Sequence, residues 1–320
     1  MENLKNEVLQ KIESSLEKFL DSDVSFILKI GNYILSSGGK RVRPLLTVGF
    51  AKVLEENNID NLIPLAIALE YLHTASLLHD DVVDKADTRR GKPSANNVFG
   101  NEATVLTGDY MYATALNIFS TYGNIDMIRV VSDAVKKMAE GQLLELKKIA
   151  DFDVKEDEYF KIIDGKTAVL FAACCYVGAN YAKASEDLAK LAYDYGIKIG
   201  RAFQIVDDIL DYVSSEEKLG KPVCNDIKEG KITYPLISVR DELSSDEKEF
   251  IKKVIKTINP NNEEVLKVRD IVLERQGHKK AFEKAKEYVR KAIQNLEEFP
   301  QNIYCKELKE LAEYIVEREV

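Results

Sequence analysis

Apolar residues recur every three or four positions through most of the chain, as in Leu4, Val8, Ile12 and Leu16 near its start and Leu308, Leu311, Ile315 and Val316 near its end. That spacing puts them on one face of a helix, whereas the period of two that marks a half-buried strand is nowhere sustained. Punctuation falls at Ser36 to Gly39, Thr88 to Pro93, Gly100, Gly123 and Asn124, Ser214 to Pro222, Gly230 and Pro260. The pattern therefore predicts helices of ordinary or greater length joined by short loops. Two long helices are predicted, over Leu62 to Asp84 and Leu188 to Asp211, and both end in acidic clusters. With no repeat of fixed period and no low-complexity linker, the expectation is an all-α single domain over residues 1–320. About a dozen helices would surround a deep central cavity whose mouth carries both clusters.

Composition narrows the class. Charged residues make up 31% and hydrophobic ones 45%, a balance that rules out disordered and collagen-like chains. A net charge of -9 argues against a nucleic-acid partner, because affinity for a phosphate backbone comes from Lys and Arg. Cys174 and Cys175 are adjacent within an apolar run, so they read as buried thiols in a reducing compartment. The first twenty residues lack a basic region followed by an apolar core, and no later stretch offers about 20 uninterrupted apolar residues. The expected location is the cytoplasm.

The chemistry lies in the acidic clusters. In His79-Asp80-Asp81-Val82-Val83-Asp84, Asp80 and Asp84 are one helical turn apart and project from the same face. Asp207-Asp208-Ile209-Leu210-Asp211 repeats the geometry. A solvated helix end would explain either cluster alone. Both, however, place carboxylates near helix carboxyl termini, where the macrodipole disfavours anions, and a cation would compensate. Two such groups facing each other would form a carboxylate cage suited to Mg2+, a hard ion commonly held by one or two carboxylates plus substrate phosphates. Around them gather cations: Lys40, Arg41 and Arg43 behind the Gly38-Gly39 pair, then Arg89 and Arg90, Lys166, Lys221 and Lys231. Each alone is more often a surface charge than a ligand.

Gly39-Lys40-Arg41-Val42-Arg43-Pro44, Asp80-Asp81-Val82-Val83-Asp84 with Arg89-Arg90-Gly91, Lys166-Thr167, Phe203-Gln204, Asp207-Asp208-Ile209-Leu210-Asp211 and Gly220-Lys221-Pro222 resemble, in order, the motifs of the trans-isoprenyl (polyprenyl) diphosphate synthases. The likeness runs from about Ile27 to Pro235, and its pattern is nearest the medium and long-chain, octaprenyl-type enzymes. It implies a helical bundle of the isoprenoid synthase type. It also implies head-to-tail condensation of an allylic diphosphate with isopentenyl diphosphate to an all-trans polyprenyl diphosphate, hexaprenyl to octaprenyl favoured. By this resemblance Asp80, Asp84, Asp207 and Asp211 ligate two or three Mg2+. Arg89, Lys166, Thr167, Gln204, Lys221 and Lys231 contact the allylic diphosphate, and Lys40, Arg43, His73 and Arg90 hold isopentenyl diphosphate. Asp80, Asp84, Arg89, Lys166, Gln204 and Asp207 are the expected catalytic set. A homodimer is implied, and an apolar product leaves room for transient membrane contact.

Product length should follow from the helix before Asp80, where Ala75 and Ser76 are small and resemble the long-product pattern; Phe119 on the next helix is the candidate floor. A core aromatic explains Phe119 equally well. Geranylgeranyl or farnesyl diphosphate synthesis is the alternative within the class. A non-catalytic partner subunit is the alternative outside it, although such a chain should have lost a cluster or the basic loop. A di-iron bundle would need paired Glu-x-x-His motifs, and only Glu70 to His73 offers one. A terpene cyclase would not need the Lys40, Arg43 and Arg90 site.

Overall fold

The computed structural model of the chain describes residues 2–213 and 224–317. The fold is all-α, with one two-stranded hairpin among the described residues. In chain order the helices are α1 (Glu2–Glu13), α2 (Ser25–Leu35), α3 (Val42–Val53), α4 (Leu62–Val83), α5 (Ala95–Phe99), α6 (Asn101–Tyr122), α7 (Ile125–Lys148), α8 (Glu156–Ile163), α9 (Val169–Tyr181) and α10 (Glu186–Val213). Shorter and longer helices follow at Asn225–Lys228, Tyr234–Ile237, Ser245–Lys256, Asn262–Glu274, Gly277–Asn295 and Ile303–Val316. Residues cluster into two compact units: Met1–Val135 with Leu170–Gly196 and Gln294–Leu311, and Lys136–Val169 with Ile197–Ile293 and Ala312–Val320.

In the first unit the core is built on α3 and α4. Each has a proline in its first turn, Pro44 and Pro64, where the missing N–H breaks no helical bond. Every residue of α4 from Leu62 to Leu72 is buried, so this half of the helix has no solvent stripe, and Glu70 is its one charge. By length and hydropathy alone Leu62–Val83 and Glu156–Tyr181 would span a bilayer, but 78% and 83% of those windows are buried in the protein, as in core helices. Arg41 precedes α3 with φ of 48°, a left-handed conformation that costs roughly 1–3 kcal/mol for a residue other than glycine. Its buried guanidinium offsets that strain by bonding Glu13 at 2.7 Å, Glu70 at 2.9 Å and the Leu35 carbonyl at 3.1 Å. Arg41, one of the three cations in the basic loop, thus belongs to the fold.

The Thr88 to Pro93 punctuation is a β-hairpin. Thr88–Arg89 pairs with Lys92–Pro93 across a two-residue turn in which Arg90 (φ 52°) and Gly91 (φ 75°) both lie in the left-handed region, as the tightest hairpin turns require. Strands of two residues are too short to leave an alternation in sequence.

In the second unit, Asp164–Ala168 is a single π-helical turn continuing α8. Its widening follows from close backbone approach on two sides. A Cβ added to Gly141 would lie 2.8 Å from the Lys166 nitrogen, and one added to Gly200 would lie 2.3 Å from Ala168 Cα. Arg201 grips the start of the turn through two bonds of 2.6 Å to Asp164, its guanidinium lying 5.2 Å from each of the Phe160 and Tyr288 rings. Conventional caps close other helices: Ser244 and Glu247 bond reciprocally at the start of Ser245–Lys256, and Asn261 accepts from Glu264 N–H before Asn262–Glu274.

Candidate active site

The first unit carries one group of the expected residues. Asp84 caps the carboxyl end of α4, its N–H donating to the Asp80 carbonyl at 2.8 Å, so the two side chains stand one turn apart at an end rich in free carbonyls. Both are partly exposed. Asp81 is fully buried between them and does something else: its Oδ1 accepts from Arg89 Nε at 2.6 Å. Burial raises the Asp81 carboxyl and Arg89 opposes the rise. The bond ties the hairpin to α4, and the hairpin in turn carries Arg90, whose guanidinium donates to the Gly38 carbonyl. Arg43 lies over the Phe171 ring at 4.7 Å, while Lys40 is exposed. Burial, then the charges of Arg43, Arg90, Arg89 and Arg41, hold the His73 imidazole well below its usual range, so it is neutral. The structure thus brings together His73, Arg43, Arg89 and Arg90, which are spread over positions 43 to 90 of the chain. His79 is packed on α6, its Nε2 3.1 Å from the Val105 carbonyl, in space that any side chain at Gly108 would fill.

Ala75 and Phe119 are fully buried; Ser76 is half-buried and donates to the His73 carbonyl at 2.8 Å. The helices that carry them, α4 and α6, pack along their length.

The second unit carries the other group. A cavity of about 140 Å³ is lined by Lys166, Gln204, Asp208, Asp226 and Lys231, with Tyr159, Glu145 and the side chains of Ile162, Ile163 and Ile232. The π turn presents Lys166 and Thr167, and α10 presents Gln204 and Asp208 one turn apart. Thr167 Oγ1 donates to Gln204 Oε1 at 2.8 Å, Gln204 Nε2 donates to Asp208 Oδ1 at 3.0 Å, and the Tyr159 hydroxyl donates to Asp208 Oδ2 at 2.6 Å. Burial, against these two hydrogen bonds, pushes the Asp208 carboxyl up to about 7. Lys166 is paired with Glu145, and Lys231 lies 2.6 Å from Glu229 and 3.6 Å from Glu145. A diphosphate reaching these lysines competes with carboxylates already present. Asp207 is partly exposed. Asp211 is buried, and its two oxygens accept from the Asn225 and Asp226 amides at 3.1 and 3.0 Å, which anchors the start of Asn225–Lys228. Lys221 lies outside the described residues.

Three residues of this site carried no role in sequence. Asp208 stood in its motif unassigned. Glu145 sits in the Lys- and Glu-rich end of α7, which reads as a solvated face. Tyr159 precedes Lys166 by seven positions, two helical turns in a regular helix, and that spacing was its only signal.

Among the described residues no three His, Cys, Asp or Glu side chains converge closely enough to enclose a metal. The donors at Asp80, Asp84 and Asp207 are all hard oxygens, offered in ones and twos. Such a set fits Mg2+, which keeps waters and takes substrate phosphates, and does not fit zinc, which demands a nearly complete shell of nitrogen and sulfur.

A helical chain that sets Asp80 and Asp84 at the end of α4, beside the hairpin that carries Arg89 and Arg90, is built to handle diphosphates. Residues 24–272 match the family described as Polyprenyl synthetase, and the chain belongs to that family; it is a prenyltransferase. It is 37% identical to the octaprenyl diphosphate synthase of Escherichia coli (strain K12), over 96% of this chain and 95% of that one. A polyprenyl synthase from Caulobacter crescentus CB15, crystallised with calcium and isoprenyl diphosphate, matches with a TM-score of 0.95 and 33% identity, over 99% of this chain and 97% of that one. A decaprenyl diphosphate synthase from Rhodobacter capsulatus matches with a TM-score of 0.93 and 32% identity, over 99% and 98% of the two chains.

Proposed function

We propose that the chain elongates an allylic diphosphate with isopentenyl diphosphate, head to tail, to an all-trans polyprenyl diphosphate of thirty to forty carbons, using two or three Mg2+ ions. The observation that carries the reading is the first unit's anionic and cationic pair: Asp80 and Asp84 one turn apart, beside a hairpin whose Arg89 is held to the same helix by Asp81. Carboxylates alone would repel a diphosphate. Asp80, Asp84, Asp207 and Asp211 would hold the metal ions, which would supply Lewis-acid stabilisation of the leaving diphosphate.

The chain's own residues do the rest. Arg89, Lys166 and Lys231 bind the departing phosphates, stabilising charge that develops only as the bond to the allylic carbon breaks. Lys40, Arg43, Arg90 and neutral His73 hold isopentenyl diphosphate so that its double bond attacks that carbon. Thr167 and Gln204 face the cation with neutral dipoles and shield it from water. The proton lost after carbon–carbon bond formation goes to the released diphosphate. Ala75 and Ser76 leave space for the growing tail, and Phe119 limits it.

The chain is proposed to work in the cytoplasm as a homodimer. Leu106 and Leu116, 65% and 45% exposed on α6, are apolar surface that a second copy would cover.

Incubation with farnesyl and isopentenyl diphosphates and magnesium, followed by chromatography of the products, tests the reading. All-trans products of thirty to forty carbons are expected. No elongation with any allylic primer would end it, and products stopping at twenty carbons would correct the length.

A further inference from the structure

We propose that Tyr159 is a positioning residue for Gln204, acting through Asp208 to fix which end of the Gln204 amide faces Thr167. The inference rests on the prenyl-transfer reading above and deepens it.

The hydrogen bonds define one arrangement. Both oxygens of Asp208 accept, Oδ2 from the Tyr159 hydroxyl and Oδ1 from the Gln204 amide nitrogen. With its nitrogen committed there, Gln204 turns its oxygen to Thr167, whose hydroxyl becomes the donor. Every bond in the chain Thr167, Gln204, Asp208, Tyr159 therefore has a defined direction. A flipped amide would set its oxygen against the Asp208 carboxylate and its N–H toward Thr167, reversing the dipole beside Lys166.

Tyr159 makes the arrangement rigid. It and Asp208 are each 3% exposed, so water does not replace a lost partner. Its ring is wedged against Phe160 and Tyr234, with centroids 5.4 and 5.5 Å away, which fixes the hydroxyl where the carboxylate needs it. Without that hydroxyl, Asp208 Oδ2 would face aromatic carbon. The carboxylate would then rotate to find another donor and release the Gln204 nitrogen. Tyr159→Phe keeps the ring packing and deletes only the bond.

The test is a double-mutant cycle on the full chain with farnesyl and isopentenyl diphosphates and magnesium, comparing wild type, Tyr159→Phe, Gln204→Ala and the double variant. Tyr159→Phe is expected to lower kcat about tenfold, the scale of one hydrogen bond to a buried charge. KM for both substrates should stay within about twofold, since the arginine and lysine contacts that carry most of the diphosphate binding are untouched. The double variant should be no slower than Gln204→Ala alone, because Tyr159 has nothing left to position. Asp208→Asn, whose side chain has one acceptor oxygen for two donors, should repeat this non-additive loss and replaces Tyr159→Phe if that variant does not fold. Losses that multiply in the double variant, an unchanged kcat in Tyr159→Phe, or an effect on KM alone would overturn the proposal. A wild-type chain that elongates no primer overturns the prenyl-transfer reading itself, whereas wild-type turnover with multiplying losses overturns only the role of Tyr159.

Discussion

The two aspartate groups have the same spacing and live in different surroundings. In each, the middle residue is buried while the first is partly exposed. Asp81 is met by a guanidinium, that of Arg89, and Asp208 by two neutral donors, Tyr159 and Gln204. The last residues differ as well: Asp84 caps α4, whereas Asp211 lies within α10 and accepts two backbone amides. One motif thus does two jobs. In the first unit the buried carboxylate holds the hairpin that carries Arg89 and Arg90, and in the second it orients an uncharged amide. On the proposed reading, anchored cations serve a diphosphate and fixed neutral dipoles serve a transient carbocation, while the carboxylates paired with Lys166 and Lys231 temper the charge beside it.

The comparison can be broken by experiment. Asp80→Ala, Asp84→Ala and Asp207→Ala should each lower turnover at saturating magnesium by about a hundredfold or more, as removal of a group stabilising the leaving anion does. Near-normal rates in all three would leave the exposed aspartates without a role in either unit.

A smaller effect separates the buried ones. Asp81→Asn should act on binding, raising KM for a diphosphate substrate roughly tenfold, the equivalent of one charge-assisted hydrogen bond, while Asp208→Asn acts on kcat. The same split in both variants would erase the distinction between the two buried aspartates.

Product analysis sharpens the first unit further. Ala75→Tyr should shorten the main product and Phe119→Ala lengthen it. Because Phe119 is fully buried, its truncation should also cost about 3–5 kcal/mol, read by denaturant unfolding. Stability loss without any change in products would make Phe119 a core residue only.

The smallest expected effect is on pH dependence, and it belongs to the cationic first unit. His73 is held neutral in the folded protein but titrates near 6.5 when unfolded. Below that pH the unfolded chain takes up more protons, so stability should be present above about 6.5 and fall as the pH drops through it. His73→Gln should remove that part of the fall; an unchanged profile would mean that the arginine cluster does not control the imidazole.

Much of this was legible in residues alone because helices report themselves locally. The predicted helix over Leu62 to Asp84 is α4 with Asp84 as its cap, and the predicted Leu188 to Asp211 is α10, longer at both ends. Ser185 explains the earlier start, its hydroxyl accepting from Leu188 N–H. The hairpin was hidden because two residues per strand cannot show a period, and the π turn because it answers to Gly141 and Gly200, which stand far from it in sequence.

The amino-acid sequence by itself determined the helical class, the spacing that puts Asp80 beside Asp84 and Asp207 beside Asp211, and the family to which the chain belongs. Periodicity and short motifs are properties of neighbouring residues, and they survive without a fold. Only the tertiary structure decided which aspartates are buried and which partly exposed, that Arg41 serves Glu13 and Glu70, and that Tyr159 and Glu145 line the second unit's cavity. Burial and hydrogen-bond partners come from segments far apart in the chain, and it is they that turn one repeated motif into two kinds of chemistry.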